Sequence, residues 1–401
     1  MIYADHSATT PVDARVREVV CQMMEACYGN PSSPHQTGIE ARQALTEGRN
    51  QVARLIGAAE GTWETPGEVV FTASGTESNN LAIHGAVQAR QQKGRHIITS
   101  RIEHHAVLRV FEGLESRGME VTYLPVDGGG RVSPADLKDA LRPDTVLVSI
   151  MMANNEVGTI QPIRELAALC KRQGTLFHTD AVQAAGKIPL HVDRLGVDMM
   201  SLSAHKLYGP KGVGALYVRE GLSLQPLMQG GGQEQGLRPG THNVPGIAGF
   251  GQACLIAADK LEAETDRLKG LTAALKEGLI ERCPDLVFHG SPDQMLPGFL
   301  SFSPLYVQGD SLLTALDLAG IQVSAGSACT TGVKEPSHVL TAMGVNPQLC
   351  QSAVRVTLGR DNTENDVEQM LHLFPEIIGR LRDMSPLYQD VLERQQRLED
   401  H

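Results

Sequence analysis

The chain has no excess of positive charge: 35 Lys and Arg against 46 Asp and Glu leave its 401 residues at a formal net charge of −11. That balance argues against generic binding of nucleic acid or of an anionic membrane, because either partner needs a basic face. No apolar run is long enough to span a bilayer. The opening Met1-Ile2-Tyr3-Ala4-Asp5-His6 lacks the basic-then-apolar order of a secretory leader. Internal repeats and low-complexity tracts are missing as well. The seven cysteines, at 21, 27, 170, 254, 283, 329 and 350, fall into no metal-type or paired spacing. Such usage belongs to a reducing compartment, so a cytoplasmic protein without a metal site is expected.

What is present is an alternation of apolar strands and amphipathic helices. Strands are predicted at Glu68–Thr72, His96–Ser100, Glu120–Leu124, Thr145–Met151, Thr175–Thr179, Asp198–Ser203 and Gly214–Val218. Strands separated by helices imply right-handed crossovers and a mainly parallel seven-stranded sheet in an α/β fold. The length exceeds what one core usually holds. A long helical pattern from about Val244 to Arg282 precedes a change of texture, with short strands near Leu286–Phe288, Gly298–Phe302 and Val354–Leu358. The expected division is a large α/β domain over residues 15–259 and a smaller α+β domain over 260–401, joined by an N-terminal segment, 1–14.

The chemistry collects at strand exits, where open α/β sheets bind ligands. Ser203-Ala204-His205-Lys206 ends an apolar run and breaks into Gly209-Pro210-Lys211-Gly212. Lys206 there is either a solvated charge or an amine for a Schiff base with pyridoxal phosphate, with Ser203 and His205 as phosphate donors. Gly75 and Thr76 open a helix after a strand and either cap it or cradle an anion on its dipole. His104 is a structural histidine or a ring stacked on an aromatic cofactor. Asn155 is a turn former or a polar contact. Asp180 is a helix cap or the carboxylate that keeps a pyridine nitrogen protonated, and Gln183 follows it as a donor to the ring oxygen. Cys329, in the small, polar stretch Ser324 to Lys334, reads as a loop thiol rather than a core one, with Lys334 near enough to favour the thiolate.

Taken in order, several stretches resemble the cysteine desulfurases of the NifS/IscS type, within the class V aminotransferases of pyridoxal-phosphate fold type I. They are Asp5 to Pro11, Gly29 to Ser33 with His35, Phe71 to Asn80, Glu103 to Val107, Asn154 to Gly158, His178 to Gln183, Ser203 to Gly212, Gly230 to Thr241, Gly326 to Thr330, Glu335 to Leu340, Arg355 to Arg360 and Leu381 to Pro386. They cover nearly the whole chain. Gln235 departs from a frequent arginine, and His6-Ser7 from a pair of small polar residues.

The resemblance implies that Lys206 carries the cofactor, Asp180 pairs with its ring nitrogen, Gln183 with its ring oxygen, and His104 stacks on the ring. Gly75, Thr76, Ser203 and His205 would hold the phosphate, and Thr241 would reach the phosphate of the other subunit of a homodimer. Asn155 and Arg355 would take the substrate carboxylate. Cys329 would accept sulfur from L-cysteine as a persulfide, leaving L-alanine, and pass it to an acceptor such as an iron–sulfur scaffold. A selenocysteine lyase or an aminotransferase on the same scaffold is the nearest alternative. A scaffold protein without cofactor is more remote.

Overall fold

The computed structural model describes residues 1–325 and 336–390. The chain opens with β1 (Ile2–Tyr3) and then builds β2 (Val69–Thr72), β3 (His96–Ser100), β4 (Glu120–Leu124), β5 (Thr145–Ser149), β6 (Leu176–Asp180), β7 (Met199–Ser203) and β8 (Gly214–Val218). The last seven form one sheet in the order β2-β8-β7-β6-β5-β3-β4. β7, β6, β5, β3 and β4 are parallel, whereas β8 is antiparallel to both neighbours. β8 reverses because only residues 204–213 separate it from β7. A parallel neighbour would need a crossover of a dozen or more residues.

Successive strand residues bury on opposite faces, as the period of a strand requires. Val70, Leu147, Leu176 and Met199 pack beneath the helices Gly75–Ala89 and His105–Glu115. Phe71, Val148, Phe177 and Met200 face the other way, onto Leu45, Val52 and Ile56 of the helix Gln36–Ile56 and onto Ile247, Phe250 and Cys254. Burial on both faces explains why these strands read as continuous apolar runs.

The helix Val244–Arg282 is 39 residues long and serves two cores. Its residues up to Ala257 pack on the large sheet, and Leu268, Leu271, Leu275 and Leu279 join a second cluster. That cluster lies against an antiparallel sheet of β9 (Leu286–His289), β10 (Phe299–Pro304) and β12 (Val354–Thr357), ordered β12-β10-β9, with the helices Gly309–Leu318 and Glu364–Asp383. β11 (Ile321–Gln322) pairs in parallel with β1, so Ile2 and Ala4 belong to the second core. Sequence periodicity missed this pair, two residues being too few to show a period. Among the described residues no helix is long and apolar enough to cross a membrane.

Candidate active site

Lys206 leaves β7 on a 3-10 turn, Ala204–Lys206. A Cβ at Gly209 would stand 2.8 Å from the Ala204 carbonyl oxygen, so the sharp turn after the lysine needs glycine there. The extended stretch after β1 runs alongside: Thr10 donates to the His205 carbonyl through its amide at 3.1 Å and its hydroxyl at 2.9 Å. That docking brings the Ser7 and Ala8 carbonyls to Lys206 Nζ, which donates to each at 2.6 Å. Burial lowers the Lys206 pKa to about 8; Arg355 assists, and Asp5 and Asp180 oppose. The amine is therefore much nearer its nucleophilic form at neutral pH than a solvated lysine.

Asp180 ends β6 and is buried. Its carboxylate accepts from Asn79 Nδ2 at 2.6 Å and from the Val182 amide at 3.0 Å. Gln183, also buried, donates from Nε2 to the Ser7 carbonyl at 2.8 Å. His104 caps the helix His105–Glu115, its Nδ1 accepting from the Ala106 amide at 3.1 Å, so Nε2 carries the proton of the neutral ring. The ring is solvent-accessible but closely surrounded, and that desolvation lowers its pKa; Asp180 counters and Lys206 adds to the lowering. His178, by contrast, is a core residue between the hydroxyls of Ser149 and Ser201, at 2.8 and 2.9 Å, and burial pushes its pKa down to about 3.

The helix Gly75–Ala89 starts against the exit of β7. A Cβ on Gly75 would lie 2.6 Å from Val182 Cγ2 and 3.3 Å from Ser203 Cβ, so glycine permits this approach. Ser74 caps the helix by accepting from the Glu77 amide, and Thr76 is exposed at its positive end. His205 meets the Thr9 hydroxyl through Nδ1 at 3.1 Å; burial, with Lys206 and Lys211, lowers its pKa to about 4, so it is neutral.

Arg355 projects from β12 and is buried. Its Nη1 donates to the Asn155 carbonyl at 2.8 Å and its Nη2 to Asp5 at 2.7 Å, and its buried Nε has no partner among the described residues. The Asn155 carbonyl also accepts from the Ser7 hydroxyl at 2.8 Å. Thr241 does not join this group. It is exposed on the loop before Val244, a loop tied to the Gly75–Ala89 helix by the Arg238–Glu77 ion pair at 2.9 Å.

Cys329 lies outside the described residues, but both flanks of its segment attach here. Ser324 exchanges backbone hydrogen bonds with Arg355, and the Ser337 hydroxyl donates to Glu156 at 2.5 Å, next to Asn155. His338 Nε2 meets the Glu103 carbonyl at 2.9 Å, just before His104. Of the described cysteines only Cys21 is exposed.

Sequence reasoning singled out none of Asp5, Asn79 and Lys187, and placed no ion pair at Glu234. Asn79 gives a local signal, a polar residue on the inner face of a helix, where burial demands a partner. The Asp5–Arg355 pair gives none, its members being 350 residues apart.

Comparison with known proteins identifies the family. Residues 2–370 match the family Aminotransferase class-V. The chain is 48% identical over 389 residues to the cysteine desulfurase IscS of Dictyoglomus turgidum, covering 97% of each. It is 47% identical to the IscS of Methanosarcina thermophila, covering 96% of this chain and 94% of that one. Among solved structures, a NifS-like protein superposes with a TM-score of 0.88 at 40% identity, over 95% of this chain and all (100%) of its own. SspA in complex with cysteine superposes with a TM-score of 0.77 at 36% identity, over 89% of this chain and 99% of its own. The chain belongs to the class-V aminotransferase family and, within it, to the cysteine desulfurases of the NifS/IscS type.

Proposed function

We propose that the protein acts on L-cysteine with pyridoxal phosphate as cofactor, releasing L-alanine and keeping the sulfur as a persulfide on Cys329 for a protein acceptor such as an iron–sulfur scaffold. The observation that carries this is the gathering of Lys206, Asp180 and His104 at the exits of β7, β6 and β3, with both flanks of the Cys329 segment anchored beside them.

The donor set fits the cofactor. Lys206 is the desolvated amine for its aldehyde, and Asp180, oriented by Asn79, is the carboxylate for its ring nitrogen. Gln183 is assigned to the ring oxygen and His104 to the ring face. The phosphate falls to the amide end of the Gly75–Ala89 helix with Thr76, Ser203 and His205. When bound, the cofactor supplies an electron sink for charge developing at the substrate α-carbon. Thr241, exposed on its loop, is assigned to the phosphate of a second subunit, which makes the active form a homodimer.

Lys206, held near pH 8, can take the α-proton and return it. Arg355, braced by Asp5, offers its fork to the substrate carboxylate, with Asn155 alongside. The Cys329 thiolate attacks the substrate sulfur, and the carbon–sulfur bond breaks with its electron pair left on carbon, which is then protonated. Cysteine and thiol thus become alanine and persulfide, a balanced exchange that needs no outside oxidant. Seven cysteines without paired spacing, the six described ones all free, support a reducing, cytoplasmic setting.

Mass spectrometry of the cofactor-loaded protein after L-cysteine, without reductant, tests the proposal. One added sulfur on the Cys329 peptide with matching alanine is expected, and Cys329→Ser should retain colour and cysteine binding but gain no sulfur. A persulfide found only elsewhere, or a keto acid in place of alanine, would refute it and favour transamination.

A further inference from the structure

We propose that Lys187 is a positioning residue that fixes which way round the side-chain amide of Gln183 sits, and so determines whether a donor faces the ring oxygen of the cofactor. The proposal rests on the functional reading above. Lys187 lies four residues after Gln183 and reaches back over one turn. Its Nζ donates to the Gln183 main-chain carbonyl at 3.0 Å and to Gln183 Oε1 at 3.1 Å. A lysine offers donors to this contact. The flipped amide would point its NH2 at those donors and lose the hydrogen bond, so Oε1 is held on the Lys187 side. Nε2 is thereby committed to the opposite side, where it donates to the Ser7 carbonyl at 2.8 Å. That same carbonyl accepts from Lys206 at 2.6 Å, which makes one chain of contacts from Lys187 through Gln183 and Ser7 to the reactive amine.

The ammonium form enforces this orientation most strictly, because it has no lone pair with which to accept from a flipped amide. Burial, with Lys206 and Arg355, brings the Lys187 pKa down to about 7, so both forms exist near neutrality. The ammonium has three N–H groups and the amine two, and Gln183 takes only two. The remaining surroundings compete weakly. Nζ lies over the Phe299 ring, 5.5 Å from its centroid, and nearby His6 is a buried imidazole whose own pKa is lowered to about 3 by burial and by Lys187 itself. Among the described residues the charges that act on Lys187 are the cations Lys206 and Arg355.

The test follows the visible absorption of the cofactor-loaded protein as a function of pH. A donor on the ring oxygen stabilises its anionic form, so losing it raises the pH midpoint of the absorption change. Gln183→Ala should raise the midpoint by about one pH unit. Lys187→Met should reproduce most of that rise in the wild-type background and add little in the Gln183→Ala background. Lys187→Gln, which keeps a donor without the charge, should stay within about a third of a unit of wild type on the same scale. An unchanged midpoint in Lys187→Met, or an equal rise in both backgrounds, would overturn the proposal, because the lysine would then act through its charge or not at all. Should Lys187→Met not fold, Lys187→Ala is read in its place: a rise in the wild-type background that is absent in the Gln183→Ala background supports positioning, and no rise, or an equal rise in both, refutes it. Failure of the wild-type protein to develop any pH-dependent visible band with pyridoxal phosphate would instead refute the functional reading.

Discussion

Replacing Glu234 with glutamine should destabilise the protein more than almost any other conservative change. The Glu234 carboxylate is buried and accepts from Arg49 Nη1 and Nη2, each at 2.6 Å, from His242 at 2.8 Å and from the Phe71 amide at 2.7 Å. Burial pushes its pKa up, but the hydrogen bonds from Arg49 and His242 outweigh that and hold it at about 2, against an ordinary 4.5. A depression of that size is worth about 3 kcal/mol at neutral pH. The Arg49 charge left behind would be buried and uncompensated, so Glu234→Gln should cost about 3 to 5 kcal/mol in urea unfolding at pH 7. Because the native pKa is depressed, this stabilisation is complete above the unfolded value near 4.5 and is lost as the pH falls towards 2. The gap between wild type and variant should therefore be constant from pH 8 to 5 and shrink below that. Arg49→Met combined with Glu234→Leu, which removes both charges, should cost less than the single change. A gap below about 1 kcal/mol at pH 7, or one unaltered between pH 6 and 3, would refute the reasoning.

Arg355→Lys should raise KM for L-cysteine about tenfold or more, since a point charge does not reproduce the guanidinium fork; an unchanged KM would remove Arg355 from substrate binding. In cofactor-free protein, the rate at which Lys206 captures pyridoxal phosphate should climb with a midpoint near pH 8, following the amine pKa of about 8, and a midpoint above 10 would contradict its desolvation. Cys21→Ser, at the exposed thiol of the helix Ala14–Ala26, should leave turnover within about twofold of wild type; a larger loss would draw that cysteine into sulfur handling.

Local sequence determined the large sheet. Apart from the half-exposed edge strand β4, its strands are apolar runs buried on both faces, and their positions are legible because hydrophobic periodicity is a property of neighbouring residues. Lys206, Asp180 and His104 were legible for the same reason, each standing just beyond such a run, where an α/β topology gathers strand ends. The contacts that tune them were not. Asn79 meets Asp180 across 101 residues, Glu234 meets Arg49 across 185, and Asp5 meets Arg355 across 350. No window of sequence contains both members of any such pair, and each polar residue taken alone is as consistent with solvent as with a partner. Only the folded chain decides between them. Docking the Asp5 to Pro11 stretch between the two cores desolvates Lys206, braces Arg355 and presents the Ser7 carbonyl to Gln183 and Lys206 together. A buried charge or amide must find a partner, and which partner it finds is set by how distant elements pack, not by the residues beside it.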